Sequence, residues 1–191
     1  SRVYFGNFPA FIVPDHSLVS FWELPAFALL GVVCALTAII FLRSAAVASD
    51  IAAKIPVAPY LKTMGGGFCV GVIALAFPEV MGVGYEATDK ALNGKYELAI
   101  LIALVAAKVA ATAISVGAGF GGGVFAPSMF MGAMVGGAFG MIATQIFPDL
   151  SSGHAAYTLV GLGAVSGAVL GAPISTILIV FELTADYALT I

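Results

Sequence analysis

Gly117-Ala-Gly119-Phe-Gly121-Gly122-Gly123-Val124-Phe125-Ala126-Pro127-Ser128 is the stretch that decides how the rest of the chain is read. It sits within forty residues, Val109 to Pro148, that contain no Asp, Glu, Lys or Arg. Five glycines between Gly117 and Gly123 let the backbone take positive φ or approach a ligand closely. Pro127 then marks a helix start, because a first-turn proline forfeits only an N–H that has no intrahelical acceptor. The N–H groups of Val124, Phe125 and Ala126 are therefore predicted to lie unpaired at the mouth of a new helix. With the positive end of the macrodipole behind them, and Gly123 and Pro127 on either side, they suit a small anion.

The setting sharpens this expectation. Hydrophobic residues make up 61% of the 191 and charged residues only 9%, against roughly 25% charged in an average soluble domain. Mean hydropathy is +1.11, so an integral, multi-pass membrane protein is expected. In hydrocarbon an orphan backbone donor is costly, and irregular backbone persists there only where it is buried in protein or lines a polar cavity. No stretch resembles a basic nucleic-acid patch, and the net charge of −3 says little, because in a membrane protein the position of each charge matters more than the sum. No cationic start followed by a short apolar core opens the chain, so no signal peptide is expected. The chain begins without Met and stops at Tyr187-Ala-Leu-Thr-Ile191 in mid-pattern, which reads as a fragment.

Outward from the glycine stretch, an all-α organisation follows. Leu98 to Val116 reads as an Ala-rich helix before it, and Phe125 to Phe147 as the helix it launches. Upstream, residues 1–22 read as an interfacial loop. Pro25 opens a long helix over Leu24–Leu42, continued by residues 45–53 into the headgroups, and Arg43, Lys54 and Lys62 around Pro56 and Pro59 mark a cytoplasmic turn. Thr63 to Phe77, with Gly65-Gly-Gly67 and Gly71, is predicted to pack closely on a neighbour. Residues 79–97 read as a surface loop carrying a short helix over Tyr85–Leu92. Downstream, Pro148-Asp149 and Ser151-Ser-Gly153 turn the chain into a helix over Ala155–Leu170. Gly171-Ala-Pro173 breaks it, and Ile174–Leu183 is too short to span alone. Gly132, Gly136 and Gly140, and again Gly163, Gly167 and Gly171, form stripes of small residues suited to helix contact.

Other chemistry finds little support. Gly117-Ala-Gly119-Phe-Gly-Gly122 fits G-x-G-x-x-G, but a helix precedes it instead of a strand and no acid follows until Asp149. There is no G-K-[ST], H-E-x-x-H or G-x-S-x-G, so neither an enzyme nor a cofactor is expected. Cys34 and Cys69 form no C-x-x-C and are expected as small core residues. His16 and His154 stand beside turn residues and are expected in solvated loops. Lys108, inside an apolar helix, calls for an acid, for water, or for a place in a pathway. Glu182 and Asp186 close the chain, with Glu182 a helix-end or interface carboxylate.

Amides suit transport better than a lysine does. Dehydrating a small anion costs tens of kcal/mol by the Born estimate at ε of about 4. A full cation at 4 Å in the same medium could hold the ion by on the order of 20 kcal/mol as an upper bound. Passage needs binding strong enough to admit the ion and weak enough to release it. Backbone partial charges meet both conditions.

Gly123-Val-Phe-Ala-Pro127, of the form G-x-F-x-P, with the preceding glycines and the following Gly132/Gly136 helix, resembles the third anion-selectivity motif of the CLC chloride channels and transporters. Gly161-Leu-Gly-Ala-Val-Ser-Gly-Ala followed by Ala172-Pro173-Ile-Ser-Thr-Ile-Leu-Ile-Val-Phe-Glu182-Leu-Thr resembles that family's helix pair beside the dimer interface. The likeness is specific from about residue 98 onward. It implies a CLC-type transmembrane fold of long tilted, short and broken helices, and a homodimer with one anion pathway per subunit. It also implies a central chloride on the main-chain N–H groups of Val124 and Phe125, within a site spanning Gly123, Val124, Phe125, Ala126 and Pro127. Residues 1–191 would then be a fragment of a single transmembrane anion-transport domain, with no separate second domain. The family's G-S-G-I-P serine, gating and proton-transfer glutamates and late pore tyrosine have no counterpart here, which leaves channel and proton-coupled exchanger both open. The competing expectation is a membrane helix-packing or oligomerisation module whose glycines serve contact alone.

Overall fold

The computed structural model describes residues 23–146 and 153–184. The interfacial reading of residues 1–22, His16, the turn over 147–152 and Asp186 lie outside the described residues. The order is α1 (Leu24–Lys54), α2 (Pro59–Ala76), a 3-10 turn (Pro78–Val80), α3 (Tyr85–Leu92), α4 (Leu98–Gly117), α5 (Phe125–Ile146), α6 (His154–Leu170) and α7 (Pro173–Thr184). No strand occurs among the described residues. α1, α2, α4 and α5 are long and apolar enough to cross a membrane. The chain is an all-α, multi-pass integral membrane protein.

Local chemistry sets the helix ends. Pro25 sits in the first turn of α1, and Ile55, extended at φ −79° and ψ 115° before Pro56, ends it. The 31 residues of α1 run about 46 Å at 1.5 Å per residue, well beyond the roughly 30 Å of hydrocarbon. α1 therefore tilts or reaches into the headgroups, as Arg43 and Asp50 in its second half require. Lys62 Nζ donates to Ala52 O at 2.7 Å, satisfying one of the last carbonyls of α1. α3 falls where the sequence places it, between Gly84 and Asn93.

α1 buries one stripe, Leu30, Cys34, Ala38 and Phe41, and exposes Leu29, Val32, Leu36 and Ile40. In water that outer face would be a liability, but against lipid tails it costs nothing. Side-chain hydroxyls obey the same solvent. Thr37, Ser44, Ser115, Thr144, Thr158 and Ser166 each donate to the carbonyl four residues earlier, at 2.6–2.9 Å, so none is left unpaired in hydrocarbon.

The core centres on α5, where Met129, Phe130, Met131, Ala133 and Met134 are buried among α1, α3, α4 and α6. Its tightest contact is with α6. A Cβ on Gly136 would lie 2.9 Å from the Cα of Thr158, and one on Gly161 would lie 2.6 Å from the Cα of Gly136. The two backbones touch, which only glycine permits. The second glycine stripe does something different. Gly163 and Gly167 face Val180 and Pro173 of α7, with ordinary clearance, and Gly171 turns the chain at φ +63°.

Three expectations need correction. In α2 the close packing predicted for the glycine run is confined to Gly66, which meets Ala118 and Phe120 of the loop after α4; Gly67 has ordinary clearance from Phe120, and a Cβ on Gly65 or Gly71 would meet nothing within 4 Å. Cys34 is a core residue, but Cys69 is exposed on α2, because only the Gly66 side of that helix meets the rest of the chain. His154 is no solvated loop residue. It opens α6 half-buried, its Nε2 donating to Ala91 O at 2.6 Å, a carbonyl in the last turn of α3 that also accepts from the Gly94 N–H at 3.1 Å.

Candidate functional site

α4 ends in a Schellman turn that aims the glycine stretch. Gly119, at φ +82°, donates its N–H to Val116 O at 3.1 Å, and Phe120 N–H donates to Ser115 O at 3.0 Å. Of the five glycines, this is the one whose φ is positive. Gly117 serves close approach, since a Cβ there would lie 2.8 Å from Ala48 O. Gly121, Gly122 and Gly123 have no neighbour that a Cβ would meet. That open, exposed run leads directly into α5.

α5 starts at Phe125, so Phe125 and Ala126 occupy the first two helical positions and Pro127 the third. The first backbone bond is Ser128 N–H to Val124 O at 3.1 Å. Ser128 Oγ donates to Phe125 O at 2.7 Å. Among the described residues no carbonyl accepts from the N–H groups of Val124, Phe125 or Ala126. Pro127 carries no N–H. Three parallel donors thus remain at the mouth of a 22-residue helix, with Val124 to Pro127 half-buried and Gly121–Gly123 exposed. The five residues named from the sequence form one contiguous corner.

Lys108 is buried, and its partners are main-chain carbonyls and a ring, not an acid. Its Nζ donates to Val80 O at 2.7 Å and Gly82 O at 3.0 Å and stands 4.9 Å from the centroid of the Phe130 ring. It therefore pins the Pro78–Val80 turn to α4 and α5, with the ring face adding cation–π attraction. Glu182 is exposed two residues before the end of α7.

One buried polar pair escaped the sequence reading. Tyr157 Oη donates to Glu23 Oε1 at 2.8 Å, and the Tyr157 ring lies 4.9 Å from Phe27 and 5.6 Å from Phe139, centroid to centroid. The clue was present in Glu23, an acid directly ahead of nineteen uncharged residues. Its partner 134 positions later could not be read from spacing.

Comparison with known proteins gives this arrangement its relatives. Residues 1–191 match the family described as "Voltage gated chloride channel". The chain is 36% identical to chloride channel protein CLC-e of Arabidopsis thaliana, covering all of this chain and 29% of that one. It is 33% identical to the H(+)/Cl(-) exchange transporter ClcA of Vibrio cholerae, covering 98% of this chain and 41% of that one. Among solved structures, a slow cyanobacterial Cl-/H+ antiporter superposes with a TM-score of 0.86 at 26% identity, covering 98% of this chain and 44% of that one. The chain thus spans less than half the length of each of these relatives. With the family matched from first residue to last and the helical framework shared, this chain belongs to the voltage-gated chloride channel family.

Proposed function

We propose that the full-length protein moves chloride or a similar small anion across its membrane, as a channel or as a proton-coupled exchanger. In this reading the chain supplies the central anion site, with the N–H groups of Val124 and Phe125 as principal donors and Gly123, Ala126 and Pro127 completing the corner. The unpaired amides at the start of α5 carry it. The names of the plant and bacterial relatives support chloride as the transported ligand. The chain is then part of a single transmembrane anion-transport domain with no separate second domain. It catalyses no covalent chemistry, uses no cofactor and works as a homodimer in the bilayer. Helix packing alone does not account for the glycine stretch, because Gly121–Gly123 contact nothing that a side chain would disturb.

Phe125 occupies the first helical position, where proline is well tolerated, so Phe125→Pro deletes one donor at small backbone cost. A hydrogen bond to a charged group contributes about 1.5–3 kcal/mol. Chloride binding to the full-length Phe125→Pro protein, measured by calorimetry, should weaken tenfold or more. Phe125→Ala, which keeps the N–H, should stay within about threefold of the parent. Equal affinity in a folded Phe125→Pro protein would sink the proposal.

A further inference from the structure

We infer that the groove between the second half of α1, the first turns of α2 and the end of α4 is a binding site for an anionic phospholipid. The groove encloses about 560 Å³, within the roughly 300–1,000 Å³ typical of small-molecule sites. Its walls are apolar, with Ile51, Ile55, Leu61 and Ile114 prominent; Gly65 leaves a trough open along α2, while Gly66 packs against Ala118 at its wall. Lys62 is the one charged residue among those lining it, and Cys69 lines it about two turns further along α2. The Lys62 ammonium uses one hydrogen on Ala52 O, and two remain for a ligand.

Depth and charge select the occupant. Lys62 lies at the turn between two membrane-crossing helices, where headgroups sit, and between Arg43 and Lys62 three cations face the single acid Asp50. Juxtamembrane lysines attract anionic lipid by about 1 kcal/mol each, roughly fivefold in affinity. An acyl chain fits the apolar trough while its phosphate meets the ammonium. The far wall is Gly117 and Ala118, and Thr63 Oγ1 donates to Ala118 O at 3.0 Å. A lipid there would touch the turn that leads into the glycine stretch, but its binding does not depend on any anion occupying α5.

Two measurements on the purified full-length protein test the inference. In native mass spectrometry, phosphatidylglycerol should remain bound more than phosphatidylcholine, and Lys62→Gln should weaken that retention about fivefold. Gly65→Leu places a side chain where nothing now lies within 4 Å and should block the trough. In parallel, phosphatidylglycerol should slow alkylation of the exposed Cys69, mapped by peptide mass spectrometry, while phosphatidylcholine does not. Because this second measurement needs no mutation, misfolding of a variant cannot blur it. Equal protection by both lipids, no protection by either, or unchanged retention in Lys62→Gln would each overturn the inference.

Discussion

Lys108 shows how a single residue answers to its solvent. A charge at this depth needs compensation, and the chain supplies it from two main-chain carbonyls and a ring face. The sequence could flag the lysine as unusual, but its partners lie 26 and 28 residues away in a turn whose path depends on tertiary packing. Lys108→Met should leave the buried carbonyl of Val80 without its donor, at about 1–3 kcal/mol, while the carbonyl of the exposed Gly82 turns to water. A fall of several degrees in the melting temperature of the detergent-solubilised full-length protein checks this. An unchanged melt would mean that water already reaches the Val80 oxygen as well. His154 teaches a complementary lesson. Its neighbours in sequence are turn residues, yet the carbonyl it meets belongs to α3, so its burial could not be read locally.

Helices were far more legible than their contacts. Pro25, Pro127, Pro173 and the glycine breaks mark helix limits through backbone chemistry alone, and α3 appears over the predicted residues. The candidate corner was legible for the same reason, because unpaired N–H groups at a helix start follow from local geometry. Which face of each helix meets which neighbour was not, since an all-apolar helix in lipid carries no amphipathic stripe to orient it. The two glycine stripes make the point: their spacing is the same, but one touches α6 backbone to backbone and the other clears α7 by a side chain. Gly136→Ala should therefore destabilise the protein by about 1–3 kcal/mol through overpacking. Gly163→Ala, whose Cβ would rest 3.8 Å from Val180, should be neutral or gain up to about 1 kcal/mol of helix propensity. Thermal melts of the two full-length variants decide; equal losses would refute the distinction.

At the scale of the molecule, the chain spans less than half the length of its relatives and presents broad apolar faces on α1, α2 and α7. Crystals of the full-length protein soaked in bromide should show an anomalous peak within hydrogen-bond distance of the Val124 and Phe125 amides. Well-ordered, soaked crystals with no peak there would place the ion elsewhere.

Pro127 has a last consequence. By withholding a third in-helix donor it confines the positive end of α5 to an arc instead of a closed ring. In the proposed function, an ion cradled by that arc would be gripped on one flank, and its opposite hemisphere would stay open. Discrimination between ions would then be shared: this chain would set the grip, and whatever faces it would decide which guests pass and how soon they leave.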